Sequence, residues 1–315
     1  MSHTIHPHDK ASLKMKTHRT KHLWPTVEPL AKPSWLRKTV RSGDNIEQLI
    51  TLFKSQALVT VCQEASCPNL VECFDRKIAT FMVMGNLCTR RCSFCDVGHG
   101  RPEPLDPDEP LRLARTIFAL GLRYVVITSV DRDDLVDGGA MHFVHCIEAI
   151  RTHNPGIIIE CLVPDFRGRH PKAFEAFKTA QPDVFNHNLE TVLSLYPAVR
   201  PGSDYQCSLS LIKLFKEQYP HILTKSGIML GLGESIEELH QALQDLRAHG
   251  TDSLTLGQYL PPSQSHYPLV RYVSPQEFDA LKVYAQSLGF TQVASGPFVR
   301  SSYHAEEFAE GLVRS

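Results

Sequence analysis

The stretch Ile78-Ala-Thr-Phe-Met-Val-Met-Gly-Asn-Leu-Cys-Thr-Arg-Arg-Cys-Ser-Phe-Cys95 joins an apolar run to a loop that carries three cysteines. The run is short and Gly85 closes it, so we predict a buried strand over residues 78–84. Cys88, Cys92 and Cys95 follow directly after this strand. In parallel α/β folds, functional groups gather where strands end and loops begin. We therefore expect a functional site at the three cysteines.

Beyond residue 101 the chain alternates strand patterns with helical patterns. Apolar runs predict further strands over residues 124–128, 157–163, 183–186, 226–230 and 253–256. Between them, apolar residues recur at intervals of three and four, as in a helix with one buried face. These residues are Leu113, Ile117, Leu120, Phe143, Ile147, Ile150, Leu211, Leu214, Phe215, Ile236, Leu239, Leu243 and Leu246. The alternation predicts an α/β fold with a parallel sheet, and six strands predict a partial (β/α)6 barrel of the TIM type.

The overall composition is that of a globular chain with no extreme bias. The 315 residues are 42% hydrophobic and 21% charged, which suits one or two domains. A net charge of −1 argues against a chain-wide basic face, so we expect no nucleic-acid partner. No stretch approaches the roughly 18 apolar residues of a membrane span, and no secretory signal opens the chain. We therefore expect a cytoplasmic protein with no membrane association.

Six of the nine cysteines fall into two clusters between residues 62 and 95. Cys62, Cys67 and Cys73 form the first, and the three cysteines of the opening stretch form the second. A secreted disulfide framework is usually a short chain with an even number of cysteines. So many thiols close together in a protein of a reducing compartment indicate metal binding instead.

The spacing of Cys88, Cys92 and Cys95 favours an iron–sulfur cluster over zinc. A structural zinc site normally takes four ligands, often in two pairs, and no histidine stands at the usual spacing, although His99 is near. A [4Fe–4S] cluster with three thiolate ligands leaves one iron open to bind a substrate. The wider spacing of the first cluster needs a fourth ligand from elsewhere, and structural zinc remains an alternative for both clusters.

Several sequence blocks carry a family resemblance. The run Cys88-Thr-Arg-Arg-Cys-Ser-Phe-Cys95 resembles the signature of radical S-adenosylmethionine (SAM) enzymes. The flanking blocks resemble the lipoyl synthase family over about residues 32–305: Val61-Cys-Gln-Glu-Ala-Ser-Cys-Pro-Asn69, Phe94-Cys-Asp-Val-Gly-His-Gly-Arg-Pro102, Val126-Ile-Thr-Ser-Val-Asp-Arg-Asp-Asp134, Val184-Phe-Asn-His-Asn-Leu-Glu190, Gly257-Gln-Tyr-Leu260 and Arg300-Ser-Ser-Tyr303.

The resemblance implies two [4Fe–4S] clusters as cofactors, together with SAM. Cys88, Cys92 and Cys95 would hold the cluster that binds SAM, and cleavage of SAM would yield a 5′-deoxyadenosyl radical. Cys62, Cys67 and Cys73 would hold an auxiliary cluster that supplies sulfur and is consumed. A serine of the Arg-Ser-Ser-Tyr run would be its fourth ligand; we assign Ser302, with Ser301 as the alternative. Because a hydroxyl binds iron more weakly than a thiolate, this serine would be a release point when the cluster is dismantled.

The resemblance also implies the activity and the partners. The enzyme would be a sulfurtransferase that inserts two sulfur atoms at C6 and C8 of a protein-bound octanoyl-lysine and consumes two SAM molecules per lipoyl group. Its partners would be octanoylated carrier domains, such as the E2 component of 2-oxoacid dehydrogenases or the glycine cleavage H protein. A low-potential donor such as ferredoxin or flavodoxin would supply electrons, and an iron–sulfur carrier would rebuild the auxiliary cluster.

Candidate SAM-contacting residues lie beside the cysteines and after the predicted strands. They are Phe94, Asn188, Glu190, Arg200, Gly231 and Glu234. Arg200 would donate to the SAM carboxylate, and a glycine such as Gly231 lets a cofactor approach the backbone. Asn188 and Glu190 could equally complete a polar rim with protein partners, and Glu234 could favour the next helix through its dipole. The run Arg132-Asp-Asp134 either binds SAM or forms ion pairs across the rim.

We divide the chain into four parts. Residues 1–31 are a flexible His-rich tail, and residues 32–76 are an extension with the auxiliary-cluster ligands. Residues 77–270 are the radical SAM barrel, and residues 271–315 are a C-terminal helix and a segment that caps the auxiliary cluster. Two rival functions remain: a methylthiolating radical SAM enzyme with two clusters, and a non-catalytic cluster carrier or zinc-stabilised binding module.

Overall fold

A computed structural model of the chain describes residues 30–36, 51, 53, 56, 58–60, 69 and 80–302. Its main feature is a sheet of eight strands in the spatial order β1-β2-β5-β6-β7-β8-β9-β10. The strands are β1 Val59–Thr60, β2 Thr80–Val83, β5 Tyr124–Ser129, β6 Ile158–Leu162, β7 Val184–Asn186, β8 Leu223–Leu230, β9 Ser253–Gln258 and β10 Gln292–Gly296. Two short strands, β3 Leu87–Cys88 and β4 Gly98–His99, pair with each other separately.

Helices cover the sheet between successive strands. They are α1 Glu109–Leu120, α2 Ala140–His153, α3 His170–Phe177, α4 Tyr196–Val199, α5 Tyr205–Gln218, α6 Ile236–Ala248 and α7 Pro275–Ser287. Local sequence explains where several of them begin. Ser235 and Ser274 each form a capping box with the glutamate three residues on, and Asp204 accepts from the backbone N–H of Cys207.

The six strands predicted from apolar runs are confirmed as β2 and β5–β9. They lie side by side and pair in parallel, which confirms the predicted partial barrel. The count of six is too low by two, because β1 adds an antiparallel edge beside β2 and β10 adds a parallel edge beside β9. Both are strands that periodicity does not reveal: β1 has two residues, and all five residues of β10 are half-buried.

The strand that opens the barrel ends as its sequence predicts. All four residues of β2 are buried, as expected of an apolar run covered on both faces. Gly85 has φ +87°, a left-handed conformation that glycine adopts without strain and that turns the chain out of the sheet. The turn leads directly to Cys88, which lies in β3.

Apolar side chains fill the space between sheet and helices, and a charged network occupies part of the barrel. Phe143 and Phe215 are fully buried in the outer core. On the opposite face of the strands, Lys225 lies 3.0 Å from a carboxylate oxygen of Glu160, and neither side chain is more than 1% exposed. The amide of Asn186 also donates to Glu160, at 2.6 Å, so the buried carboxylate is neutralised and hydrogen-bonded.

The helices among the described residues are short, with at most 14 residues each. None of the helices within these residues is both long enough and apolar enough to cross a bilayer.

Candidate functional site

The three cysteines of residues 88–95 lie at the edge of the sheet where the parallel strands end. Cys88, Cys92 and Cys95 are all half-buried. The backbone N–H of Cys95 donates to the carbonyl of Cys92 at 3.1 Å, so the loop makes a tight turn between them. Gly100 donates to the carbonyl of Cys88 at 2.9 Å, which fixes the start of the loop to the strand that follows it.

Hydrogen bonds attach this loop to neighbouring strand ends. The backbone N–H and the hydroxyl of Thr89 both donate to the carbonyl of Asp131, which follows β5, at 3.1 and 2.9 Å. The N–H of Ser93 donates to Val199 at 2.9 Å, and the carbonyl of Ser93 accepts from the N–H of Tyr267 at 2.8 Å. The loop is therefore anchored on three sides.

Burial favours the protonated form of two of these thiols, while backbone N–H groups donate to one of the sulfurs. Burial raises the pKa of Cys88 far above its ordinary value, and the charge of Asp131 raises it further. Burial also raises the pKa of Cys92 to about 12, although the charge of Arg200 opposes the change. Such thiols stay protonated at neutral pH until a metal ion displaces the proton. The backbone N–H groups of Arg90 and Asp131 donate to the sulfur of Cys88, at 3.4 and 3.3 Å. Hydrogen bonds of this kind to the sulfurs are common in iron–sulfur proteins.

No three His, Cys, Asp or Glu side chains within the described residues are grouped tightly enough to share one metal ion. A cubane does not require such a group, because each of its thiolates binds a different iron.

Asn188 and Arg200 lie together at the end of β7, each with an unused polar atom. Arg200 is buried, and its guanidinium donates to the hydroxyl of Tyr196 at 2.7 Å and to the carbonyl of Asn188 at 3.2 Å. The Nε of Arg200 and the Oδ1 of Asn188 are buried and have no hydrogen-bond partner among the described residues. Because buried polar atoms are nearly always paired, this donor and this acceptor indicate a polar ligand.

Glu190 occupies a strained position beside this pair. Its φ of +70° is unusual for a residue with a side chain. Two backbone hydrogen bonds to β8 hold it there: its N–H donates to Gly227 at 2.9 Å, and its carbonyl accepts from Met229 at 2.8 Å. Burial raises the pKa of Glu190, which the charge of Arg200 and a hydrogen bond with Asn188 partly offset. Strain held by surrounding contacts is typical of functional sites.

Gly227 leaves space on the inner wall of the barrel beside Asn188. A Cβ atom at this glycine would lie 2.9 Å from the Oδ1 of Asn188 and 2.6 Å from the hydroxyl oxygen of Thr255. A larger residue would therefore press directly on the unpaired oxygen, and the glycine keeps the wall open there.

The structure gives Gly231 and Glu234 roles within their own loop. Glu234 is buried, and its carboxylate accepts from the N–H groups of Gly231 and Leu232 at 2.6 and 2.8 Å. A Cβ at Gly231 would lie 2.4 Å from the carbonyl oxygen of Arg271, so only glycine fits beneath that segment. A contact of either residue with a cofactor stays a prediction.

Phe94 packs at the outer end of the cysteine loop. Its ring is half-buried against a small apolar cluster that includes Val199, Leu232 and Tyr259. The side chain thus connects the loop to the ends of β8 and β9.

The run Arg132-Asp-Asp134 after β5 forms ion pairs, as one of the two alternatives from the sequence predicts, and a contact of this run with SAM stays a prediction. Arg132 pairs with Asp134 at 2.8 Å, and Asp133 pairs with Arg90 at 2.8 Å and with Arg167 at 3.1 Å. Arg90 was not singled out from the sequence, although it stands between two of the cysteines. Its partners come from distant loops, and no local pattern indicates them.

The predicted auxiliary-cluster residues lie partly outside the described residues. Cys62, Cys67 and Cys73 are outside them, and Ser301 and Ser302 are half-buried. Two contacts place the segment before these serines. Asn69 donates to the carbonyl of Phe298 at 2.6 Å, and a Cβ at Gly257 would lie only 2.1 Å from the carbonyl oxygen of Val299. This segment therefore crosses the end of β9 and contacts Asn69.

Comparisons with known proteins identify a superfamily and a family of similar sequences. Residues 82–246 match the sequence profile of the radical SAM superfamily. The lipoyl synthase of Thioalkalivibrio sulfidiphilus is 60% identical over 289 residues, which is 92% of this chain and 90% of the relative. The lipoyl synthase of Nitrosococcus oceani is 60% identical over 91% of this chain and 89% of its own length. The solved structure of a methylornithine synthase is 14% identical, with a TM-score of 0.50 over 92% of this chain and 82% of that one, and supports the fold alone.

Proposed function

Because the chain belongs to the lipoyl synthase family of the radical SAM superfamily, we propose that its site carries out the chemistry of that family. The reaction inserts two sulfur atoms at C6 and C8 of an octanoyl chain held on a lysine of a carrier protein. The observation that carries the proposal is the meeting of three half-buried cysteines with an unpaired buried donor and an unpaired buried acceptor.

The residues present fit a [4Fe–4S] cluster and SAM. Cys88, Cys92 and Cys95 would hold the cluster, since thiolates are its usual ligands and three of them leave one iron for SAM. When bound, cluster and SAM supply hydrogen-atom abstraction from unactivated carbon, which acid and base side chains cannot perform. The protein contributes position, charge and exclusion of water.

The polar residues at the end of β7 would orient SAM. The Nε of Arg200 is available to donate to a carboxylate, and the Oδ1 of Asn188 is available to accept from an ammonium or a ribose hydroxyl. Glu190 is held beside both by the backbone of β8. Phe94 would pack against the bound nucleoside. The backbone at Gly231, together with Glu234, would line the part of the site that holds the adenine.

The auxiliary cluster would be held by Cys62, Cys67, Cys73 and Ser302, in the extension of residues 32–76 and the capping segment of residues 271–315. The hydrogen bond from Asn69 to Phe298 supports this assignment, because it joins the sequence between Cys67 and Cys73 to the segment that carries Ser302. The proposal includes consumption of this cluster as the sulfur source and its repair by a cluster carrier.

The partners and the location follow from the reaction. An octanoylated E2 or H-protein domain would present its chain at the strand ends of the barrel, residues 77–270, and a ferredoxin or flavodoxin would deliver electrons. We place this chemistry in the cytoplasm, where low-potential donors keep the clusters reduced. Residues 1–31 have no assigned part in the reaction.

Metal analysis is the first test. The protein, purified anaerobically, should contain about eight irons and about eight sulfides per chain. Zinc without sulfide would instead support the rival function, a zinc-stabilised binding module without catalytic activity.

Turnover is the second test. With SAM, a reductant and an octanoylated carrier, the protein should release deoxyadenosine and produce a lipoylated lysine, detected by mass spectrometry. Labelled sulfide built into the auxiliary cluster should appear in the product. A lipoyl group formed with unlabelled sulfur only would contradict the assigned sulfur source.

A further inference from the structure

Arg90 stands inside the cysteine loop and is buried between two carboxylates. Its side chain is 4% exposed, and those of Asp133 and Asp165 are 10% and 2% exposed. Asp133 follows β5 and Asp165 follows β6, so the two carboxylates come from different strand ends. The guanidinium thus connects the loop to two neighbouring strands of the barrel.

Every N–H group of this guanidinium is used. Asp133 accepts from Nε and one terminal nitrogen at 2.8 and 2.9 Å, and Asp165 accepts from both terminal nitrogens at 2.7 and 2.6 Å. The fifth N–H donates to the hydroxyl of Ser203 at 3.1 Å. An arginine has five such donors in a rigid fork, so this geometry is fully saturated and fixes the orientation of the side chain.

The arrangement also joins the loop to the proposed SAM-binding residues. Asp165 lies 4.0 Å from Arg200, so one buried carboxylate serves both arginines. The backbone N–H of Arg90 donates to the sulfur of Cys88 at 3.4 Å. A shift of Arg90 would therefore displace both Cys88, a proposed cluster ligand, and Arg200, which is proposed to donate a hydrogen bond to SAM.

We infer that Arg90, held by Asp133 and Asp165, is a positioning residue that presents the three thiols in their cluster-binding arrangement. The inference rests on the proposed function only in taking the three cysteines as cluster ligands. The three side chains form no bond to the cluster and act by holding the loop that does. Partners beyond the ligands of a metal site commonly change metal affinity by about 10–100-fold when they are replaced.

The test compares Arg90→Gln with Arg91→Gln in the full-length protein, reconstituted anaerobically. Arg91 is the neighbouring residue of the same type, and its side chain is exposed. Two quantities are measured: the rate at which a chelator removes iron, and the change that SAM causes in the electron paramagnetic resonance (EPR) signal of the reduced protein. We expect Arg90→Gln to lose the SAM-responsive cluster about 10–100-fold faster and Arg91→Gln to match the parent protein.

Equal chelator rates and equal SAM responses in the two variants would overturn the inference. If Arg90→Gln does not fold, as judged by its circular dichroism, Asp165→Asn decides instead, because it keeps the shape of the residue and removes its charge. Its control is Asp279→Asn on the exposed face of α7. Chelator resistance of Asp165→Asn equal to that of this control would overturn the inference as well.

The carrier protein is absent from these measurements. Normal cluster loading in the parent protein without sulfur insertion would therefore refute the proposed function and leave the inference about Arg90 intact.

Discussion

The side-chain amide of Asn69 donates to the backbone carbonyl of Phe298 at 2.6 Å, across 229 residues of sequence. Asn69 is 1% exposed, so this bond is shielded from water on the side of the amide. The contact joins Asn69, which lies between Cys67 and Cys73 in the sequence, to the segment that precedes Ser301 and Ser302.

Replacing Ser302 with cysteine should preserve the auxiliary cluster and impair sulfur transfer. A thiolate binds iron more strongly than a hydroxyl does, so the iron held at this position should be released less readily. Iron content should stay at the parental value while lipoyl product per chain falls severalfold. Ser301→Cys is the matched control. Unchanged product from Ser302→Cys, or an equal loss from both variants, would contradict the assignment of Ser302.

Gly257→Ala should displace the segment that precedes these serines. The new Cβ would lie 2.1 Å from the carbonyl oxygen of Val299, a backbone atom that cannot rotate away. Overpacking of this kind costs about 1–3 kcal/mol, so denaturant unfolding should show a lower free energy. Hydrogen exchange of residues 297–302 should also increase.

Gly296→Ala is the comparison for Gly257→Ala, because its Cβ would meet Val299 at 3.5 Å, an ordinary contact. Equal stability of the two variants would show that the segment does not press on the end of β9.

Replacement of Lys225 by methionine should destabilise the fold strongly. The lysine neutralises Glu160 inside the barrel, and the carboxylate would remain buried without its cation. Removing one partner of such a pair typically costs about 3–5 kcal/mol, measurable by urea unfolding. The double variant with Glu160→Gln should recover part of the loss. A single variant as stable as the parent protein would contradict a charged pair at this position.

The strands of the barrel interior were predictable because their sequences are continuous apolar runs. β5, Tyr124–Ser129, is such a run, as expected of a parallel strand that is covered on both faces. β10, Gln292–Gly296, has mixed polarity and half-buried residues, so neither periodicity nor an apolar run marks it. Its existence depends on pairing with β9, which is a tertiary contact. The helix α3 has only eight residues, too few for a periodic pattern to stand out.

The cysteines of the site were predictable because their spacing is local, whereas their surroundings were not. Arg90 and Asp165 are 75 residues apart and meet only because β2, β5 and β6 lie side by side. The pairing of Asp133 with Arg90 depends on the same arrangement of strands, whereas Arg132 and Asp134, which also pair, are only two residues apart. Sequence reasoning therefore identified the candidate ligands and left open which charged residues bind a ligand and which hold the loop.

Arg200→Lys should weaken SAM binding while cluster content stays unchanged. Lysine keeps the positive charge but lacks the Nε donor that the structure leaves unpaired, and one hydrogen bond to a charged group is worth about 1.5–3 kcal/mol. Calorimetry on the cluster-loaded protein should give a dissociation constant about tenfold higher or more. Arg151→Lys, at an exposed pair with Asp183, is the control. Parental affinity in Arg200→Lys would remove this arginine from the proposed SAM site.

Stability should fall between pH 6.5 and pH 4 because of His187. Burial, together with the charge of Arg200, lowers the pKa of this imidazole from 6.5 to about 4, and its Nδ1 lies 2.8 Å from the carbonyl oxygen of Val163. Below pH 6.5 this imidazole is protonated in the unfolded chain but stays neutral in the folded chain. As the pH falls, the free energy of unfolding therefore decreases by at most about 1.4 kcal/mol per pH unit. The pKa of His170 is lowered by burial as well and adds a slope of the same sign in every variant. Urea unfolding of His187→Gln should therefore show a shallower pH dependence than the parent protein across this window, and equal slopes would mean that His187 accepts its proton without unfolding.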